Sequence, residues 1–109
     1  MLDDLAKIER RQRLLNDFSM RFKNSDSILE VRDQNGSVML RDKGALQAIR
    51  ADDSFEDVIT VTLRDSAGLE NYHNLGKIDD VSLELTDWDE RKSLWFEADD
   101  GAIAILKIN

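Results

Sequence analysis

The chain has 109 residues, a net charge of −8, no cysteine and one histidine. This length suits one domain, so we expect residues 1–109 to fold as a single unit. The lack of cysteine excludes disulfide scaffolds, thiolate metal sites and cysteine nucleophiles. No apolar stretch approaches the ~20 residues of a membrane span, and none follows Asp3 and Asp4 as a secretory signal would. We therefore expect a cytoplasmic protein that does not bind membranes.

The first 24 residues have the pattern of an amphipathic helix. Their apolar residues recur at helical spacing and their basic residues fall mostly on the other side; the apolar set is Leu5, Ile8, Leu15, Phe18 and Phe22. We predict a helix over residues 1–24 that packs on a sheet. This segment holds six basic and four acidic residues, whereas the other 85 residues hold nine basic and nineteen acidic ones. A weakly basic helix therefore accompanies a strongly acidic body.

Residues 28–41 have the pattern of a β-hairpin. Apolar and polar side chains alternate around Leu29 and Val31, a matching run follows in Ser37–Arg41, and Asn35-Gly36 precedes that run. Asn-Gly is typical of a type I′ turn, in which both central residues have positive φ. We therefore predict two antiparallel strands joined by a type I′ turn.

The segment after this hairpin is typical of a short helix and a strand, which completes the prediction for residues 28–64. Asp42 offers a side-chain cap to a helix over Lys43–Arg50, which carries alanine, leucine and isoleucine. Val58–Arg64 alternates between apolar residues on one face and mixed residues on the other. We therefore predict a strand here.

The C-terminal part is predicted as a loop followed by a three-strand meander over residues 81–108. Residues 65–80 form the loop, with one helical turn through Leu69–Tyr72. The meander strands and their tight turn are Val81–Trp88, Ser93–Ala98, Ala102–Ile108 and Asp99-Asp100-Gly101. The whole chain is thus predicted as an α+β domain. Its N-terminal amphipathic helix packs on a mainly antiparallel sheet of about six strands.

The register of the meander follows from turn length and alternation. Pairing Trp88 with Ser93 and Ala98 with Ala102 collects one set of apolar residues on one face: Leu83, Leu85, Leu94, Phe96, Ala104, Leu106 and Ile108. The opposite face receives Trp88, Trp95, Ile103 and Ile105. The last strand is therefore apolar on both faces, which indicates a cover on each side or an interface.

The sequence contains few of the residues and motifs that catalysis or metal binding requires. His73 is the only histidine, and we expect it in a loop. No acidic stretch has the order of a calcium loop, no nucleophile elbow precedes a serine, and no glycine-rich phosphate loop is present. We therefore predict no catalytic residues, no metal, no cofactor and no enzymatic activity.

Surface charge and aromatic residues indicate protein binding. The acidic body disfavours nucleic acid and favours a basic protein partner. Trp88 combines an aromatic anchor with neighbouring carboxylates, a combination found at interface hot spots. The predicted partner-binding residues form two patches, one in the C-terminal turns (Asp87, Trp88, Asp89, Glu90, Asp99 and Asp100) and one before residue 58 (Asp52, Asp53, Glu56 and Asp57).

In size and charge the chain is similar to immunity proteins and inhibitors that neutralise basic nuclease toxins or nucleic-acid-binding enzymes. The similarity is one of size and charge alone and rests on no motif. It implies a small acidic module that masks a basic partner. The alternative is an assembly subunit, a homo-oligomer that associates through its helix or through Ala102–Ile108.

Overall fold

A computed structural model describes residues 2–51, 58–85 and 92–108. These residues form one helix and seven strands, in the order α1 (Leu2–Arg21), β1 (Asp26–Arg32), β2 (Val38–Ala51), β3 (Ile59–Arg64), β4 (Glu70–Leu75), β5 (Ile78–Leu85), β6 (Lys92–Ala98) and β7 (Ile103–Ile108). The α+β class and the N-terminal helix are confirmed. The sheet has seven strands rather than about six.

All neighbouring strands of the sheet are antiparallel, in the order β4-β3-β2-β1-β7-β6-β5. The two edge strands, β4 and β5, are consecutive in sequence and are joined only by Gly76 and Lys77. A sheet whose edges are joined by two residues must curl strongly. Because β4 and β5 do not pair with each other, the curled sheet is not closed.

The hydrophobic core fills the concave side of the curled sheet, and α1 covers it. Leu15 and Phe18 of the helix are buried in the same cluster as Phe96 of β6. The Arg11 guanidinium donates hydrogen bonds to the carbonyls of Ile78 (3.2 Å) and Asp79 (2.9 Å). Since α1 also contacts β2, it spans the concave side from β2 to the start of β5.

The predicted helix over Lys43–Arg50 is wrong, because this segment belongs to β2. The first part of β2 pairs with β1 and the second part with β3, with an irregularity between Leu46 and Ala48. A Cβ atom on Gly44 would lie 2.7 Å from the carbonyl oxygen of Arg64, so glycine permits this close pairing. Tertiary pairing thus outweighs the weak local helix preference of the alanine-rich segment.

The predicted loop over residues 65–80 is also wrong. It contains β4, which pairs with β3 along its whole length, and the first residues of β5. The expected helical turn at Leu69–Tyr72 lies in β4 and the turn before it. Only Leu75 of β4 is a buried apolar residue, so the strand lacks the hydrophobic alternation by which strands are detected.

The hairpin between β1 and β2 is confirmed, but its turn is not type I′. Gly36 has a φ of +84°, while Asn35 is not among the residues with positive φ. The Gly36 N–H donates to the Asp33 carbonyl (3.0 Å), and the Asp33 N–H donates to the Ser37 carbonyl (2.9 Å). This is a longer turn that ends with a left-handed glycine. The same pattern recurs at Gly68 and Gly101.

One half of the predicted meander register is confirmed and the other half is wrong. Phe96 lies opposite Ala104, as expected between β6 and β7. Between β5 and β6, Ser93 lies opposite Glu84 instead of Trp88, a shift of four residues. An even shift keeps every side chain on its predicted face, which is why the alternation did not reveal the error.

Candidate functional site

A cavity of about 480 Å³ opens at the end of the curled sheet where the β1–β2 and β6–β7 turns lie, and we call it the mouth pocket. Its floor consists of core side chains, because Phe96 and Ala104 are both buried. The described lining comes from six of the seven strands and from the turns: Val31, Leu40, Tyr72, His73, Asn74, Leu75, Gly76, Ile78, Phe96, Ala98, Asp100, Ala102, Ile103 and Ala104. The pocket is therefore mainly apolar.

A histidine and carboxylate pair lies at the wall of the mouth pocket. His73 Nε2 is 2.8 Å from Asp42 Oδ2, and both side chains are partly exposed. The pair forms because both residues face the concave side: Asp42 lies opposite Leu29, and His73 lies opposite Val61. The expectation that His73 lies in a loop is wrong, because β3 holds it in β4.

The electrostatic character of the mouth pocket is negative. Asp100 is the only residue with a full charge among the described lining residues, which include no lysine or arginine. Asp42 adds a second carboxylate behind His73. The described lining therefore carries one carboxylate, with a second one behind its histidine.

The rim of the mouth pocket has unusually exposed apolar side chains. Leu40 and Tyr72 line the pocket and are 36% and 65% exposed, and Val38 and Met39 precede Leu40 on the same strand with 56% and 70% exposure. The Tyr72 hydroxyl donates a hydrogen bond to Glu70 Oε2 (2.7 Å). This hydrogen bond to a carboxylate raises the pKa of Tyr72.

A second surface, the convex face, is made by the outward-pointing residues of β2, β1, β7, β6 and β5. Its register gives three rows across these strands. In strand order they are Lys43, Ile28, Lys107 and Ser93; then Arg41, Glu30, Ile105, Trp95 and Ser82; then Val38, Arg32, Ile103, Glu97 and Asp80.

Four basic residues surround Glu30 at the β2 side of the convex face: Arg32, Arg41, Lys43 and Lys107. The Arg32 guanidinium donates a hydrogen bond from Nε to Glu30, which lowers the pKa of that carboxyl; Lys107 and Arg41 lower it further, against partial burial. The sequence analysis missed this basic cluster within the acidic body. Strand alternation combined with the hairpin register would have placed Arg41 opposite Glu30 and beside Arg32.

The middle of the convex face is apolar. Ile105 is 3% exposed, and Trp95 is half-buried beside it. The indole Nε1 of Trp95 is buried and has no hydrogen-bond partner within the described structure. Neither residue belongs to the core cluster that contains Leu15 and Phe18, so Trp95 lies on the face opposite α1.

Two of the predicted partner-binding residues lie in the described structure. Asp99 and Asp100 are exposed in the β6–β7 turn, and Asp100 lines the mouth pocket. The Asp99 N–H donates to the Lys77 carbonyl (3.1 Å), and Asp100 Oδ1 accepts a hydrogen bond from the Ala102 N–H (2.9 Å). The other eight lie outside the described residues: Asp52, Asp53, Glu56, Asp57, Asp87, Trp88, Asp89 and Glu90.

Within the described residues, no three metal-ligating side chains come together as a group that would hold an ion. The described part of the chain contains no helix that is both long and apolar enough to cross a membrane. Comparison of the chain with protein-family models, curated proteins and solved structures finds no match.

Proposed function

We propose that this chain is a small protein-binding module whose mouth pocket takes up a basic side chain of a partner protein. The observation that carries the proposal is the combination of apolar walls with a lining whose only full charge is the carboxylate of Asp100. The aliphatic stem of lysine or arginine packs on apolar surface while its charged end stays near carboxylates and water. The pocket offers both environments.

Acidic residues next to the pocket support a basic partner. Asp99 is exposed in the same turn as Asp100, and the exposed Asp79 directly follows the lining residue Ile78. The same charges accelerate the encounter with a basic protein through electrostatic steering.

The proposed role is a stoichiometric and non-catalytic one in the cytoplasm, as an immunity or inhibitor protein that masks a basic partner such as a nuclease toxin. The described lining residues include no serine, threonine, cysteine or lysine beside His73 and Asp42. A histidine and carboxylate pair without a nucleophile lacks the part that forms the covalent bond in acyl transfer. We also propose Trp88 and the predicted acidic residues outside the described structure as further contacts with the partner.

The test uses a fluorescent peptide rich in lysine and leucine and a matched peptide in which glutamate replaces lysine. We expect the basic peptide to bind and the acidic one not to bind. Asp100→Lys is expected to weaken binding about tenfold, equivalent to roughly 1.4 kcal/mol. Asp17→Lys makes the same charge change on an exposed position of α1 and is expected to change the affinity less than about twofold.

A second variant separates pocket binding from general charge attraction. Ala102 is half-buried in the lining, so Ala102→Trp fills the pocket without changing the net charge. We expect it to weaken binding of the basic peptide as much as Asp100→Lys does. If Ala102→Trp binds the peptide normally while the fold is intact by circular dichroism, the mouth pocket is not the binding site.

A further inference from the structure

The two edge strands of the sheet differ in how far they are protected against pairing with another chain. β5 has a register irregularity between Ile78 and Asp80, and the Arg11 side chain of α1 donates hydrogen bonds to carbonyls at its start. β4 pairs with β3 in unbroken register over Glu70–Leu75 and contains no proline, lysine or bulge. Bulges, prolines, lysines and covering elements are the usual means by which edge strands avoid further pairing. β4 is therefore the less protected of the two edges.

The direction of the backbone groups of β4 follows from its hairpin with β3. The Asp65 N–H donates to the Leu69 carbonyl (2.9 Å), so these two residues form a hydrogen-bonded pair at the turn. Such pairs alternate along an antiparallel ladder, so every second residue of β4 directs its N–H and C=O away from β3. The residues with outward groups are Glu70, Tyr72 and Asn74. Among the described residues, no other strand pairs with this outer edge.

The mouth pocket lies along this outer edge of β4. Four consecutive residues of the strand line it, namely Tyr72, His73, Asn74 and Leu75. Successive side chains of a strand point to opposite faces, so a cavity that touches all four residues lies at the edge of the strand and not on one face. Because β3 covers the other edge, the pocket lies beside the outward N–H and C=O groups. A chain that pairs with β4 can therefore place a side chain in the pocket.

We propose that the partner contributes an extended segment that pairs with the outer edge of β4 as an additional antiparallel strand and places a basic side chain in the mouth pocket. The inference rests on the proposed function and adds how the partner is bound. Outward N–H and C=O groups on every second residue are complementary to the backbone of another strand. In such strand addition, main-chain hydrogen bonds provide affinity and pockets for alternate side chains provide specificity.

The alternation of β4 also determines which residue of the segment carries the basic side chain. His73 directs its side chain to the concave side, where it meets Asp42, and its N–H and C=O to β3. A residue of the segment opposite His73 faces the same concave side, and its own N–H points away from β4. Its two neighbours lie opposite Tyr72 and Asn74 and form the hydrogen bonds to β4. The basic residue is therefore the one between the two residues that pair.

Hydrogen exchange of backbone amides, measured by NMR on the full chain, tests the proposal. The probe is the peptide Thr-Val-Thr-Lys-Thr-Val-Thr, acetylated and amidated at its ends, which places lysine and valine on one face and threonine on the other. In the free chain we expect the outward amides of Glu70, Tyr72 and Asn74 to exchange at least about tenfold faster than those of Asn71 and His73. Saturating peptide should slow exchange at the outward amides at least about fivefold.

Two N-methylated peptides separate strand pairing from side-chain uptake. Methylation of the two threonines next to lysine removes the N–H groups that face β4, and we expect it to weaken binding at least about tenfold. Methylation of the lysine nitrogen, which points away from β4, is the matched control and is expected to weaken binding less than about threefold. On the protein side, Asn74→Pro removes an outward N–H, and Asn74→Ala is its reference because it loses the same side chain but keeps that N–H. We expect Asn74→Pro to bind the peptide at least about tenfold more weakly than Asn74→Ala.

Several results would overturn strand pairing. Binding of the peptide without slower exchange at the outward amides does so and leaves side-chain uptake by the mouth pocket intact. Equal weakening by the two N-methylated peptides has the same meaning, and these peptides decide the question if Asn74→Pro does not fold. Absence of binding also overturns strand pairing, whereas the proposed function is decided separately by the peptide rich in lysine and leucine and by Ala102→Trp.

Discussion

The mouth pocket and the convex face use opposite sides of the same strands, and they differ in shape and in charge. On β6, Phe96 is buried beneath the pocket, whereas its neighbour Trp95 lies half-buried on the convex face. The described lining of the pocket has a carboxylate and no cation, while the convex face has separate basic and acidic sides. Strand alternation thus gives one sheet an apolar cavity on its concave side and a surface with basic, apolar and acidic parts on its convex side.

The largest expected effect comes from truncating adjacent residues on the two sides of β6. Phe96→Ala should lower the free energy of unfolding by about 3–5 kcal/mol, because Phe96 is fully buried in the core. Trp95→Phe removes a buried N–H that has no partner, so we expect a change within about 1 kcal/mol or a slight stabilisation. Urea unfolding of the two variants measures both. Equal losses would contradict the division of β6 into a core side and a surface side.

The next largest effect is expected at Gly44, where the backbones of β2 and β3 lie close together. Gly44→Ala places a Cβ atom 2.7 Å from the Arg64 carbonyl oxygen, so the β2–β3 pairing must shift. We expect a loss of about 1–3 kcal/mol, as for other overpacked positions. Gly76→Ala is the matched control in the link between the edge strands, because a Cβ atom there meets nothing within 4 Å. If thermal unfolding shows that Gly76→Ala destabilises the protein more than Gly44→Ala does, the role given to Gly44 is contradicted.

Gly44 also shows where sequence reasoning succeeds and where it stops. The helix, the β1–β2 hairpin and the β6–β7 register were predictable, because each depends on periodicity or on a turn within a few residues. The strand character of Lys43–Arg50 depends on β3, whose paired residues lie 10 to 19 positions further along the chain. The polar strand β4 depends in the same way on β3 and has little alternation of its own.

The candidate site was less predictable than the fold, for the same reason. Asp99 and Asp100 were identified from their local charge, and Asp100 lies at the mouth pocket. Asp42 and His73 are 31 residues apart in sequence and meet only because β2 and β4 flank β3. The basic cluster around Glu30 is drawn from β1, β2 and β7, so no single stretch of sequence contains it.

A smaller effect concerns the pKa of Glu30 on the convex face. The hydrogen bond from Arg32, with Lys107 and Arg41 nearby, holds the pKa of Glu30 below its ordinary value of 4.5. The ionised carboxylate is therefore favoured in the folded state, and this contribution to stability is present above pH 4.5 and is lost as the pH falls through the lowered pKa. NMR titration of the Glu30 carboxyl should show the low pKa, and Arg32→Ala should raise it. A pKa at or above 4.5 in the unchanged chain would contradict the basic cluster.

The smallest effect belongs to the rim of the mouth pocket. The hydrogen bond from the Tyr72 hydroxyl to Glu70 raises the pKa of Tyr72 above 10, because deprotonation would place two anions side by side. The protonated phenol is favoured in the folded state, so its contribution to stability is complete below pH 10 and is lost as the pH rises through the raised pKa. Glu70→Gln removes the negative charge, and ultraviolet titration of tyrosinate should then show a pKa closer to 10. Tyr72 is the only tyrosine in the chain, so the signal reports this residue alone. An unchanged titration curve in Glu70→Gln would contradict the hydrogen bond between the Tyr72 hydroxyl and the Glu70 carboxylate.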